Sequence, residues 1–481
     1  MAKQFSNVIT AILLICVSSA AALDLQPGAF DAAGIYKLAA IDPNLTGKGV
    51  NVALVCRSDT YIDSVPQNDY RPDISLRCFQ KSNASFHDDL LGIAGISKHT
   101  TEIASILTGV DANAFHPEVG EFSYTSVVPN AHLNVYEFWY FVTDYIFTGQ
   151  WPKDDVLTMS LGWSSESWWS RGIDGMVEDY GFLVVAAIGN GTEAYDLPLY
   201  PAAGANVLAV GVADSNDTLY DFGAPDSNHS TAGPTLDGRC KPDIIAPGNC
   251  LVASSDNTYK ASGDYSSFAA PIVTGVASML IQKAKSDPNL QIAVSGFSGN
   301  CVMKSILMTS AKKLSDWQKG FANSEDDYEY PLDFKQGAGM IDAVSAYNLL
   351  IAGLQRDGDV NTTGWDLNMV EPDNTVEKIY SFQTADNQKT LTATLVWNRV
   401  YEHRYPFNLD LNLWKDLQLV LRRIDSNGQM IVTDVSDSPV DNVEHIYVPV
   451  EPNSVYELVV SNSPNVQSKG TATYAVSWQI Q

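Results

Sequence analysis

Ser267 stands in the run Gly263-Asp264-Tyr265-Ser266-Ser267-Phe268-Ala269-Ala270-Pro271, directly ahead of a long apolar stretch. Proline is welcome in the first turn of a helix, and the free N–H groups there favour developing negative charge. A hydroxyl so placed is suited to act as a nucleophile, although a serine-rich helix cap would look the same. His99 opens a second run, His99-Thr100-Thr101-Glu102-Ile103-Ala104-Ser105-Ile106-Leu107, with small residues that allow close helix packing. Of seven histidines it alone precedes such a helix, while a lone histidine is by default a surface or satisfied core residue. Asn190 follows the apolar stretch 183–188 in Gly189-Asn190-Gly191, as an amide donor or as an ordinary turn residue. A hydroxyl, an imidazole and an amide donor are the parts that acyl transfer through a covalent intermediate requires.

These residues need a frame, and the apolar pattern supplies one. From Gly49 to about Leu350, short β-branched runs at 50–55, 156–161, 183–188 and 207–212 alternate with helical patterns at 103–107 and 272–281. Continuous apolar strands between helices predict an α/β fold with a mainly parallel central sheet covered on both faces. Beyond Gly353 the texture changes to alternating runs at 391–397, 409–414, 455–460 and 474–480, separated by polar turns. That pattern predicts an antiparallel β-sandwich. The expected organisation is residues 1–22, then an α/β domain over 23–352, then a sandwich over 365–481, with the joint near 356–364.

The three chemical runs resemble, in order, motifs of the subtilisin-like serine peptidases. The serine run resembles G-T-S-M-A-A-P, with Tyr265 for Gly and Ser266 for Thr. The histidine run resembles H-G-T-H-V-A-G-I-I, with Thr100 for Gly and Glu102 for the second His. The asparagine run resembles V-V-A-A-A-G-N. Thr158-Met159-Ser160-Leu161-Gly162 resembles the substrate-binding strand, Pro242-Asp243-Ile244-Ile245-Ala246-Pro247-Gly248 the turn before the nucleophile, and Gly337-Ala338-Gly339 the closing segment. The resemblance covers about residues 35–350 and implies a subtilisin-like fold and an endopeptidase. It assigns Ser267 as nucleophile, His99 as base, Asn190 as oxyanion donor, and Ser160, Leu161 and Gly162 to substrate binding. Trp163, Trp168 and Trp169 are candidates for shaping the groove, or for aromatic core.

The acid of the triad departs from the pattern. Such peptidases run Asp, His, Ser along the chain, with Asp closing the first strand in V-A-V-I-D-T-G-I-D. Here Cys56 falls at that place, and Asp59-Thr60-Tyr61-Ile62-Asp63 follows three residues later. Either the strand end carries extra residues, as a bulge tolerates, and Asp59 orients His99, or the acid is gone. The first reading is preferred; the second describes a pseudopeptidase that binds peptides or proteins without cutting them.

Met1-Ala2-Lys3, the apolar run 8–17 and Ser18-Ser19-Ala20-Ala21-Ala22 read as a secretory signal, cleaved after Ala22. Export is therefore expected, with sequons at Asn44, Asn83, Asn216, Asn228 and Asn361 as glycosylation acceptors. Residues 25–41 read as the leading helix of the mature domain, with no long foldase segment before it. Removal of the signal leaves Cys56, Cys78, Cys240, Cys250 and Cys301, of which Cys240 and Cys250 are the preferred bridge; Cys56–Cys78 and Cys78–Cys301 stay open.

A net charge of -27 excludes a basic nucleic-acid surface, and no later segment is long and apolar enough to span a membrane. The partners expected are protein or peptide substrates of a monomer. No cofactor is required for catalysis. Structural calcium is compatible with the acidity, and the C-terminal runs resemble the jelly roll that follows many subtilase domains. There Asp410, Asp441 and Glu444 are either calcium ligands or, more simply, turn and edge residues.

Overall fold

The computed structural model describes residues 28–58, 61–62, 65–90, 94–164, 167–191, 197–322, 327–372 and 376–481. The expected signal at 1–22 and Asp59 lie outside the described residues. The centre is a seven-stranded sheet of β1 (Asn51–Cys56), β2 (Asn83–His87), β3 (His132–Glu137), β4 (Val156–Met159), β5 (Leu183–Ala187), β6 (Leu208–Ala213) and β7 (Ile244–Pro247). Its order is β7-β6-β5-β4-β1-β3-β2, and every neighbouring pair is parallel.

Helices cover both faces, which is why the strands read as unbroken apolar runs. Along β1, Val52, Leu54 and Cys56 face the core that contains α3 (Ser266–Ser286). The alternate residues Ala53 and Val55 face Trp169, Ile173 and Val177 of α2 (Ser167–Tyr180). Each of these strand residues is at most 5 % exposed, so truncating Leu54 to Ala should cost roughly 2–5 kcal/mol. The helix α1 (Lys98–Thr108) packs against α3, and α4 (Gly299–Thr309) and α5 (Ala343–Ala352) complete the shell.

The C-terminal part is antiparallel. Strands β8 (Thr363–Val370), β9 (Lys378–Gln383), β10 (Thr390–Trp397), β11 (Leu417–Ile424), β12 (Met430–Ser436), β13 (Val443–Pro449), β14 (Val455–Asn462) and β15 (Ala472–Ile480) form two sheets. Their orders are β8-β15-β10-β13 and β9-β14-β11-β12, the second extended by a short parallel strand at Gly358–Asp359. Inward residues such as Trp397, Leu419, Leu458 and Trp478 fill the space between. The first sheet sits on α4 through polar contacts, with Thr309 Oγ1 donating to Thr394 Oγ1 at 2.7 Å.

Three expectations are corrected. The leading helix breaks into Ala29–Ala32 and Ile35–Ile41, because Gly34 adopts φ 76°, a left-handed conformation that ends one helix before the next begins. The run 409–414 is not a strand: Asp410 accepts the Asn412 N–H at 2.9 Å and starts a 3-10 turn, with Leu411 and Leu413 exposed. None of the five described cysteines is in a disulfide and all are buried, so the expected Cys240–Cys250 bridge is absent. The Cys240 thiol faces the Leu332 carbonyl at 3.8 Å, whereas the Cys250 sulfur accepts from Ser262 Oγ at 3.7 Å. Burial raises both thiol pKa values, helped at Cys240 by the nearby Asp441 carboxylate, and takes that of Cys250 to about 12.

Candidate active site

The carboxyl ends of β1, β4 and β5 and the N-termini of α1 and α3 meet at one edge of the sheet, where open α/β folds bind ligands. Each helix head is held by a different device. Ser97 caps α1, its hydroxyl accepting the Thr100 N–H at 3.1 Å. Thr101 Oγ1 donates to the Ser97 carbonyl at 2.7 Å and accepts the Asp73 N–H at 2.9 Å. The rest of α1, from Thr100 to Thr108, is buried, which leaves His99 exposed at the helix head. Its ring lies against Phe268, with centroids 6.0 Å apart.

Extended Tyr265 precedes α3, so Ser267 is the second residue of the helix and is half-buried. It is tied to the residue after β4 in both directions. Ser160 Oγ donates to the Ser267 carbonyl at 2.7 Å, and Ser267 Oγ lies 3.5 Å from the Ser160 carbonyl. The second contact is long, so the nucleophile candidate is weakly held.

Asn190 follows β5 and is oriented by Ser266. Its Oδ1 accepts the Ser266 backbone N–H at 3.0 Å and the Ser266 hydroxyl at 2.9 Å. A backbone N–H fixes which end of the amide is oxygen, so Nδ2 is the donor end. The Ser266 hydroxyl also accepts the Gly189 N–H at 3.2 Å. His99, Ser160, Leu161, Gly162, Asn190 and Ser267 therefore line one open cleft; of the site residues the sequence singled out, Asp59 lies outside the described residues.

A second hollow adjoins the first and shares His99 and Ser160–Gly162. Its other walls include Cys56, Arg57 and Trp163. Cys56 is the last residue of β1, 5 % exposed, in register with Glu137 of β3. Just beyond it, Ser58 Oγ donates to Asp69 Oδ1 at 2.5 Å. The Arg57 guanidinium lies 4.4 Å over the Trp163 ring, a contact with no signal in the sequence. Trp163 does border this adjoining hollow, whereas Trp169 is core and Trp168 stacks on Phe147. Glu102, in the place of the second histidine, is buried against Lys260 at 2.6 Å.

The role of Ser266 was also hidden, because only the fold brings it to Asn190. In the sandwich, Asp441 accepts the Cys240 N–H at 3.0 Å and the Ser438 hydroxyl at 3.1 Å. Glu444 accepts from Ser436 Oγ at 2.5 Å and Ser438 N at 2.9 Å.

The profile of the family described as "Subtilase family" matches residues 47–339. Serine protease AprX of Bacillus subtilis is 29 % identical over 149 residues, covering 27 % of this chain and 34 % of AprX. The alkaline protease of Alkalihalobacillus alcalophilus is 30 % identical over 266 residues, 53 % of this chain and 60 % of that protein. A solved structure of the patellamide maturation protease PatA aligns with a TM-score of 0.43 at 21 % identity, over 64 % of this chain and 98 % of that one. The chain thus spans only part of the length of the curated relatives it matches.

Proposed function

The chain belongs to the subtilase family, and from that premise we propose that it is an exported serine endopeptidase working through an acyl-enzyme. Ser267 Oγ attacks the peptide carbonyl and passes its proton to His99, which then delivers it to the leaving amine. Asp59 holds the imidazole in the right tautomer. Asn190 Nδ2 and the N–H groups at the head of α3 stabilise the oxyanion. The edge at Ser160, Leu161 and Gly162 takes the substrate as an added strand.

The observation that carries this reading is the single cleft holding His99, Asn190 and Ser267, with the Asn190 amide turned by Ser266. Export is supported by the exposure of five of the six sequon asparagines, Asn44, Asn83, Asn216, Asn228 and Asn361; the sixth, Asn190, is half-buried in the cleft. The C-terminal strands support a jelly roll: numbered in order, they pair as 1-8-3-6 and 2-7-4-5, two interleaved four-stranded sheets. We read the protein as a monomer acting on proteins or peptides without a cofactor in the chemical step.

One observation favours a second reading. Cys56 ends β1 and borders the hollow beside His99, where the family pattern has its acid. A chain lacking the acid would be a secreted peptide-binding pseudopeptidase. Labelling of the purified protein with a fluorophosphonate probe separates the two. Labelling lost in Ser267→Ala and sharply reduced in Asp59→Asn supports the peptidase. Folded wild type that takes up no probe supports the binding protein.

A further inference from the structure

Away from the cleft, three side chains from separate segments converge behind the nucleophile loop. Asp214 directly follows β6, His229 lies in the turn after Asp226, and Asp264 sits between Gly263 and Tyr265, just ahead of α3. One ligand atom of each lies within 4.8 Å of the others. His229 Nδ1 is 3.6 Å from Asp214 Oδ1 and 4.0 Å from Asp264 Oδ2.

The polar accounting around these atoms is incomplete. The Asp264 side chain is only 4 % exposed. Its Oδ2 is held by the Ser215 N–H and hydroxyl at 3.0 and 2.7 Å, yet Oδ1 is buried without a hydrogen-bond partner. His229 Nδ1 is likewise a buried atom with no hydrogen-bond partner. Buried polar atoms left unmatched are costly and rare. A metal ion would satisfy them: ligands bound at about 2.0–2.1 Å around a tetrahedral ion lie roughly 3.3 Å apart, so the three ligand atoms, all within 4.8 Å of one another, would draw inward by up to about 1.5 Å.

We propose that Asp214, His229 and Asp264 bind one divalent transition-metal ion, with zinc the best fit to an imidazole and two carboxylates. Calcium takes six to eight oxygens and is poorly served by a nitrogen in so small a set. The half-exposed His229, its side chain 41 % accessible, gives the ion a way in and leaves room for a water as fourth ligand.

The position suggests what the ion does. Asp264 is three residues before Ser267. Two residues beyond His229, Thr231 donates its N–H to the Gly189 carbonyl at 3.2 Å and accepts the Gly191 N–H on its hydroxyl at 3.1 Å. One ion would therefore clamp the segment leading into α3 to the segment bracing the Asn190 turn, and would stiffen both. This site is independent of whether the cleft is catalytic.

The test is calorimetric titration of chelator-treated full-length protein with zinc chloride at pH 7.5, in parallel with calcium chloride. Thermal unfolding with and without zinc is the second readout. The expected result is one equivalent of zinc and a raised Tm, with affinity weakened ~100-fold or more in His229→Ala and in Asp214→Asn. His229 is on an exposed turn, so a circular dichroism spectrum like that of wild type is expected and is checked first. Absence of zinc binding by folded wild type overturns the assignment. So does zinc binding that survives in folded His229→Ala, or a calcium response that the His229 variant leaves intact.

Discussion

Ser266 holds Asn190 by two bonds to one atom: the Asn190 Oδ1 accepts both its backbone N–H and its hydroxyl, at 3.0 and 2.9 Å. The residue beside Ser267 thus orients the Asn190 amide at the cleft. Asn190→Ala should lower kcat by ~10²–10³ with little change in KM. Ser266→Ala, which keeps the backbone bond and loses the hydroxyl, should cost about tenfold. Steady-state kinetics on a peptide substrate checks both; an unaffected Ser266→Ala would mean that the backbone N–H alone orients the amide.

The acid can be assigned by exchanging two residues separately. Asp59→Asn should reduce kcat by about 10⁴, the order seen when such an acid is removed, whereas Cys56→Ser should leave turnover near wild type. The reverse pattern would place the orienting partner of His99 at the end of β1.

Asp416 makes stability depend on pH. It is fully buried, neither carboxylate oxygen has a hydrogen-bond partner, and Arg399 Nη2 is 3.9 Å away. Burial raises its pKa to about 7. In the folded chain Asp416 therefore keeps its proton over a range in which the unfolded chain has lost it. The stabilisation is full below about pH 4 and is lost as pH rises through about 7, an effect of up to ~4 kcal/mol. Asp416→Asn should flatten this part of the profile of urea midpoint against pH between 4 and 7. An unchanged slope would show that Asp416 is ionised in the folded state.

The thiols offer a check on packing. Cys56, Cys78, Cys240, Cys250 and Cys301 are buried thiols outside any disulfide, and burial lifts the Cys78 and Cys301 pKa values to about 12. Native protein should react negligibly with an aromatic disulfide reagent at pH 8, and denatured protein lacking residues 1–22 should release five thiols. Recovery of only three would indicate a bridge.

Much of this architecture was legible along the chain. Strands buried on both faces must be apolar at every position, so β1, β4, β5 and β6 appeared as runs within a residue or two of their observed ends at 56, 159, 187 and 213. Ser267 could be placed because a serine ahead of Ala-Ala-Pro carries its own helix-head signal. The run at 409–414 misled because apolar alternation says nothing of a local side-chain bond, and Asp410 made one.

The sequence by itself determined the order of the elements and the residue types delivered to the ends of the strands, since both follow from local propensity and periodic burial. Only the tertiary structure decided which side chains meet. It placed Ser266 against Asn190, directed the Cys240 and Cys250 sulfurs to different neighbours, and brought Asp214, His229 and Asp264 together. Such meetings depend on the packing of segments distant along the chain, and no local pattern of residues encodes the distance between them.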